Sequence, residues 1–276
     1  LRIKKQGISA LLSAEKPLRG KVRIFIQTNK NADFIALTKQ ILEGAMKAKP
    51  ANIEELKNLT INGSTVAQLI TDRSGVTGEK MELGAYEFVN GAATLAYIHP
   101  GNKLASIVAF NEAGAETQVY KNVAMQVAAM NPIAVDEKGV SEEFVAKERE
   151  IATEKTKAEL VKKQVDNALS KAGINPAHVD SDAHIESNLE KGWITAEQAA
   201  KAREIKVSEA EKASANLKPQ MVEGIVNGRI QKIYKEQTLM NQAFIMDEKI
   251  NVAQYLNSVS KTLLPTSFKR FTLNQE

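Results

Sequence analysis

The 276-residue chain contains no cysteine. That excludes a disulfide scaffold, a thiolate zinc site, an iron–sulfur cluster and a cysteine nucleophile. Aromatic residues make up only 5%, with a single tryptophan. Arginine is also sparse: eight residues (2, 19, 23, 73, 149, 203, 229 and 270) among 37 basic ones. Nucleic-acid readers rely on arginine forks at base edges and on aromatic rings for stacking. The net charge of +4, mostly scattered lysine, is therefore weak support for a nucleic-acid partner. No apolar run approaches the roughly 20 residues of a membrane helix; the longest are Ala105–Phe110 and Val123–Met130. Leu1–Gly7 is basic, but no apolar stretch of leader length follows, so neither a secretory signal nor a membrane partner is expected. Hydrophobic residues at 43% and charged residues at 25% are the balance of a folded globular chain, of one large or two small domains.

Three zones follow one another. Residues 21–140 mix strands and helices. Val22–Gln27 is β-branched and aromatic, a strand. Asp33, as N-cap, opens a helix to about Lys49 with Phe34, Leu37, Ile41, Leu42 and Ala45 at helical spacing. Pro50 stops it. A short helix Ile53–Leu59 follows, then a turn at Asn62-Gly63, then Ser64 as N-cap of Thr65–Asp72. Lys80–Val89 and Ala93–Ile98 read as strands joined at Asn90-Gly91, and Pro100-Gly101 leads to a third, Lys103–Phe110, giving an antiparallel meander. Glu116–Met130 is an apolar helix ended by Asn131-Pro132.

Residues 141–236 differ in kind. They carry 16 Lys+Arg and 17 Asp+Glu, with few apolar positions. Ser141 caps a long helix, Gly173-Ile174-Asn175-Pro176 breaks it, and Thr195 with Gln198 forms a capping box for a second. The pattern predicts a charge-laced helical hairpin or coiled coil that projects. Residues 237–276 return to mixed character, with a helix near Ile250–Ser258 and a strand Phe268–Leu273 that joins the meander.

Chemistry-bearing motifs are few. Gly75-x-x-Gly78-Glu79-Lys80 is not a phosphate loop, because Glu79 stands where lysine should directly follow glycine. His178 and His184 flank Asp180 and Asp182 in a looser pattern than a metal site requires, and a solvated tip is expected there. His99 has no nucleophile at a recognisable spacing. The carboxylate pairs Glu54-Glu55 and Glu142-Glu143 sit in helix first turns, where the dipole favours them. With no nucleophile, metal or cofactor motif, the residues favour a binding protein over an enzyme.

Five ordered segments resemble translation elongation factor Ts. Ala32-Asp33-Phe34-Ile35-Ala36 is similar to its T-D-F-V-A element, and Tyr97-Ile98-His99-Pro100-Gly101 to its Y-x-H-x-G turn. Gln126-Val127-Ala128-Ala129-Met130-Asn131-Pro132 resembles its H/Q-V-A-A-x-x-P helix end. Val226-Asn227-Gly228-Arg229-Ile230 resembles V-E-G-R-hydrophobic, with Asn227 replacing Glu, and Gln242-Ala243-Phe244-Ile245-Met246 resembles Q-P-F-V-M. Lys30-Asn31-Ala32 replaces the usual C-E-T, and Thr77 is polar where the family is apolar. Leu1–Gly7 is similar only to the tail of the family's N-terminal ubiquitin-associated-like module.

The resemblance implies an α+β fold of two antiparallel-sheet-plus-helix subdomains with an inserted, protruding coiled coil. The divisions would be 1–20 as the tail, 21–90 as the N-subdomain, 91–140 with 237–276 as the C-subdomain, and 141–236 as the arm. It implies a cytoplasmic guanine-nucleotide exchange factor for elongation factor Tu that needs no cofactor and does not itself bind nucleotide. Phe34 would be a wedge near the partner's switch region, with Asp33 beside it. Thr77, Gly78 and His99 would meet the partner's nucleotide-binding domain around its phosphate and magnesium site, and Ile245 and Met246 a second partner domain. Two other readings stand beside it: an RNA- or ribosome-associated helical adaptor, and a metal-dependent enzyme at His178 and His184.

Overall fold

In the computed structural model, which describes residues 2–5, 8–11, 32–78, 80–100 and 104–272, the chain divides into two units: Leu1–Gly139 with Lys235–Glu276, and Val140–Tyr234. The first is mixed α and β and has two separate apolar cores. The expected strand Val22–Gln27 lies outside the described residues.

The first core is gathered by short elements. β1 (Arg2–Lys5) pairs antiparallel with β2 (Ile8–Leu11) and with β5 (Met81–Ala85). Residues read from the sequence as the tail of a helical module are thus strands of a sheet ordered β2-β1-β5. Between them lie α1 (Ala32–Ala48), α2 (Ile53–Asn58), the small hairpin β3 (Thr60–Ile61) and β4 (Ser64–Thr65), and α3 (Val66–Thr77). Phe34, Ile41 and Ala45 form one stripe of α1 and close the core with Leu56, Val66, Ile70, Met81 and Leu83.

Two expected caps move. α1 already begins at Ala32, so Asp33 lies in its first turn instead of capping it. Ser64 is paired with Ile61 in the hairpin, and Thr65 caps α3. Thr65 Oγ1 accepts the Gln68 N–H at 3.2 Å, and Gln68 Oε1 accepts the Thr65 N–H at 2.9 Å. The reciprocal bonds need a Gln or Glu three residues past the cap, and only Thr65 has one.

The second core lies between β6 (Ala93–Ile98), β7 (Leu104–Phe110) and α4 (Thr117–Met130). α4 presents Val119, Tyr120, Val123 and Val127 to Leu95, Val108 and Phe110. The Asn90-Gly91 hairpin is not formed: β5 pairs with β1, β6 pairs with β7, and residues 86–92 separate two different sheets. Glycine at 91 serves a close approach, since a Cβ there would lie 2.6 Å from the Phe110 carbonyl oxygen.

The second unit is helical. α5 (Glu142–Lys171) is capped by Ser141, which accepts from the Phe144 N–H. α6 (Asp182–Glu190), α7 (Ala196–Ala215) and α8 (Pro219–Gln237) follow. Thr195 and Gln198 form the expected capping box. The return run, however, is two helices: α7 closes at Asn216, and Pro219, whose missing N–H is harmless in a first turn, starts α8. Ala152 of α5 packs with Val222, Val226 and Ile230 of α8. Further along, Val165 and Leu169 pack with Ala199 and Ala202 of α7 and with Ile174, Val179, Ile185 and Ile194. The expected solvated tip is therefore a small folded core. Its helix α6 is started by Ser181, which accepts from the His184 N–H.

The chain re-enters the first unit beside its exit. Leu239 N–H donates to the Ala134 carbonyl and Met240 N–H to the Val135 carbonyl, each at 2.9 Å. β8 (Ala243–Phe244), β9 (Asp247–Asn251), α9 (Val252–Val259) and β10 (Pro265–Thr272) complete it. β10 pairs antiparallel with β7, with Phe268 opposite Val108, so the terminal strand joins the sheet as expected. Among the described residues no helix is long and apolar enough to cross a membrane.

Candidate functional site

Asp33, Thr77 and Gly78 are brought to one end of the first core. The Asp33 carboxylate, at the dipole-favoured start of α1, is 3.2 Å from Arg73 Nη1 on α3. One turn later Thr77 Oγ1 donates to the Arg73 carbonyl at 3.0 Å. Gly78 ends α3 with φ 67°, ψ 8°, the left-handed cap that lets the chain turn back toward β5. Ser74 ties the far side of the turn, accepting the Met81 N–H at 2.9 Å and donating to the Ile70 carbonyl.

The apolar residue in this turn is Val76, 77% exposed. Sequence reasoning missed it, although the signal was present. Val76 is six residues past Ile70, about 240° around a helix of 3.6 residues per turn, and so off the buried stripe. Gly75 lies inside α3 and Gly78 caps it, so both glycines belong to a helix end and not to a phosphate cradle.

Among the described residues none crowds the Cβ position of Gly78, so the barrier to substitution is backbone conformation. Gly78→Ala is expected to cost about 1 kcal/mol of stability. The urea midpoint checks this, and an unchanged midpoint would show that the left-handed cap is not required.

His99 and the Ile245–Met246 corner lie in the second half of the unit. His99 follows β6, its N–H donating to the Leu104 carbonyl at 2.9 Å. Its Nδ1 is 3.1 Å from the Tyr97 hydroxyl, which orients the exposed ring. Ile245 and Met246 join β8 to β9, where Phe244 faces Asp247. Met246 is 52% exposed, and Ile245 is half-buried. Phe244 points inward, stacked on Tyr255 at 4.1 Å between ring centroids.

Phe34, expected from the resemblance to be a wedge, is 2% exposed within the core of α1, α2, α3 and β5. In the free chain it packs that core, and to reach a partner it would have to leave that packing. The matched segment lies at a helix start, and the helical spacing of Phe34, Ile41 and Ala45 is the stripe that encloses the ring.

The second unit offers little chemistry. An open cleft of about 490 Å³ lies beside Lys162, Asp180 and His184. Its lysine is engaged by Asp166 at 2.9 Å and Asp180 at 3.4 Å, and the hydrogen bond to Asp166 above all raises its pKa. The His178 ring lies 5.7 Å from that of Trp193, and Lys191 sits over the indole at 5.2 Å. Among the described residues no group of three or more metal-ligating side chains could hold an ion.

The chain also resembles known proteins. The family described as elongation factor TS matches residues 27–275. The chain is 51% identical to the elongation factor Ts of Parabacteroides distasonis and 52% identical to that of Bacteroides fragilis; each match covers 90% of this chain and 75% of the relative. It is 42% identical to that of Porphyromonas gingivalis, over 90% of this chain and 70% of the relative.

Proposed function

The chain belongs to the elongation factor Ts family of translation elongation factors, and from that premise we propose that it promotes GDP release from elongation factor Tu. The observation that carries this reading is the α3 end, where a turn closed by the left-handed Gly78 offers an exposed apolar side chain, Val76. Val76, Thr77 and Gly78 act there with Asp33 near the partner's phosphate and magnesium site. His99 meets the same partner domain, and Ile245 with Met246 a second one. The helical unit plays the part of the family's coiled-coil arm.

The protein performs no covalent chemistry in this scheme and needs no cofactor. It acts by linkage: a protein that binds the empty GTPase more tightly than the loaded one weakens nucleotide binding by the same factor. A 10⁴-fold weakening takes about 5.5 kcal/mol of differential binding. One buried apolar side chain contributes roughly 1.5–3 kcal/mol. Several contacts must therefore act together, which favours a spread-out set of turns over a single wedge. The RNA-adaptor alternative has no observation in its favour, since the helical segment's 16 basic and 17 acidic residues nearly cancel.

Release of a fluorescent GDP analogue from elongation factor Tu tests the reading. The wild-type chain is expected to accelerate it. Val76→Asn is expected to reduce that acceleration by about tenfold or more, through lost apolar burial and an unpaired amide at the contact. Being exposed, it should shift stability by no more than about 0.5 kcal/mol. A wild-type chain that leaves release unchanged would overturn the function. A fully active Val76→Asn would remove Val76 from the contact.

A further inference from the structure

We infer that Gln126 is a positioning residue for partner binding: it holds the Ile245–Met246 corner in one conformation from the back. The inference rests on the proposed reading that this corner touches the partner.

Gln126 lies in α4 and is completely buried. Its Nε2 donates to the Ala243 carbonyl at 3.0 Å, and its Oε1 accepts the Ile245 N–H at 2.8 Å. The two bonded groups flank Phe244, so one side-chain amide pairs with β8 as a neighbouring strand would. A second buried amide fixes the direction of the first. Gln242 Oε1 accepts from Gln126 Nε2 at 3.3 Å, while Gln242 Nε2 donates to the Met130 and Glu236 carbonyls at 3.2 and 3.0 Å. In the flipped orientation, Gln126 would set oxygen against oxygen and nitrogen against N–H at Ala243 and Ile245.

The corner needs this support. Two-residue hairpin turns that match strand twist take positive φ at one or both positions. Neither Ile245 nor Met246 does. β8 is only two residues long, and its register with β9 shifts between Ala243 and Phe244. Turn and ladder together thus specify the corner weakly. An apolar residue would fill position 126 without the burden of burying an amide; the amide adds direction.

The test is a double-mutant cycle on affinity for elongation factor Tu. Gln126→Met keeps the volume and removes both bonds to the corner. Gln126→Met and Met246→Ala are each expected to weaken binding by about tenfold. The double variant is expected to bind about as weakly as either single one, because a side chain that is no longer positioned has no contact left to lose. A merely structural role would give a stability loss and penalties that multiply to about a hundredfold, overturning the inference. Gln126→His, which keeps one donor and one acceptor, is expected to recover part of the affinity, and it carries the same cycle if Gln126→Met does not fold. Hydrogen exchange in the free chain gives a readout without the partner. The Ile245 amide is expected to lose protection in Gln126→Met while the β7 and β10 amides keep theirs. Unchanged Ile245 protection overturns the inference. Failure of the wild-type chain to bind the partner overturns the functional reading but leaves the exchange result standing.

Discussion

Phe34→Ala lowers the free energy of unfolding by about 3–5 kcal/mol, the cost of removing a large ring from a closed core. Phe34 is the first residue of the buried α1 stripe and touches a cluster that includes Leu56, Val66 and Met81. Few of these neighbours can move in to fill the space. α2 has six residues and β5 five, and both are already fixed at their ends. The Thr38 hydroxyl donates to the Phe34 carbonyl in the buried interior, so the backbone of this turn is tied as well. A urea titration followed by far-UV circular dichroism measures the loss. A change below about 1 kcal/mol would mean that the ring is exposed and would return it to the surface. Because domains of this size lose only 5–15 kcal/mol on unfolding, the variant should also release GDP from the partner poorly for want of folded protein. Only a rate corrected for the folded fraction separates the two roles.

Ile185→Ala is expected to cost about 2–5 kcal/mol, but in the other unit. Ile185 is fully buried among Ile174, Val179 and Ile194. The chain's single tryptophan, Trp193, lies in the adjoining turn against His178, so tryptophan emission, excited apart from the tyrosines, reports on this unit. With urea slopes of roughly 1–3 kcal/mol per molar, the fluorescence midpoint should fall by at least about 0.7 M. The amides of β6, β7 and α4 should keep their protection. Phe34→Ala should do the reverse, lowering protection of α1 and α3 and leaving the fluorescence midpoint in place. If both variants shift both probes equally, the two units unfold as one.

What the sequence disclosed depended on how local the deciding interaction is. Thr195-x-x-Gln198 and Ser141 were readable as caps because the partners lie within one turn. Asn131 before Pro132 ended α4 for the same reason. The cap of α3 slipped by one residue because Ser64 and Thr65 are equally good acceptors, and the choice lies three residues on, at Gln68. The partner of β5 was not readable. Its alternation shows a strand but not which edge it seeks, and β1 lies far away in the sequence. The core around Ile185 was hidden because its apolar residues are spread over α5, α6, α7 and the turns between them, none with a complete stripe.

At the candidate site, the matched motifs fall at turns and helix ends, but a motif alone did not tell which side chains face outward. His99 and Met246 are exposed, Phe34 is enclosed, and the exposed Val76 lies outside the matched segments. Exposure depends on where the other helices pack, which no single segment encodes.

The bonds from Leu239 and Met240 to Ala134 and Val135 place the exit and re-entry of the chain side by side. Closing a loop between fixed ends costs only about 0.6 kcal/mol for each doubling of its length. Everything from Val140 to Tyr234 can therefore lengthen, shorten or be replaced by a brief linker with little equilibrium effect on the sheet that β10 completes. Kinetically the arrangement is less neutral. β10 must find β7 across the whole insertion, a pairing of high sequence separation and therefore slow to form. Because β10 follows the insertion in sequence, the sheet it completes can close only after the whole helical segment has been synthesised.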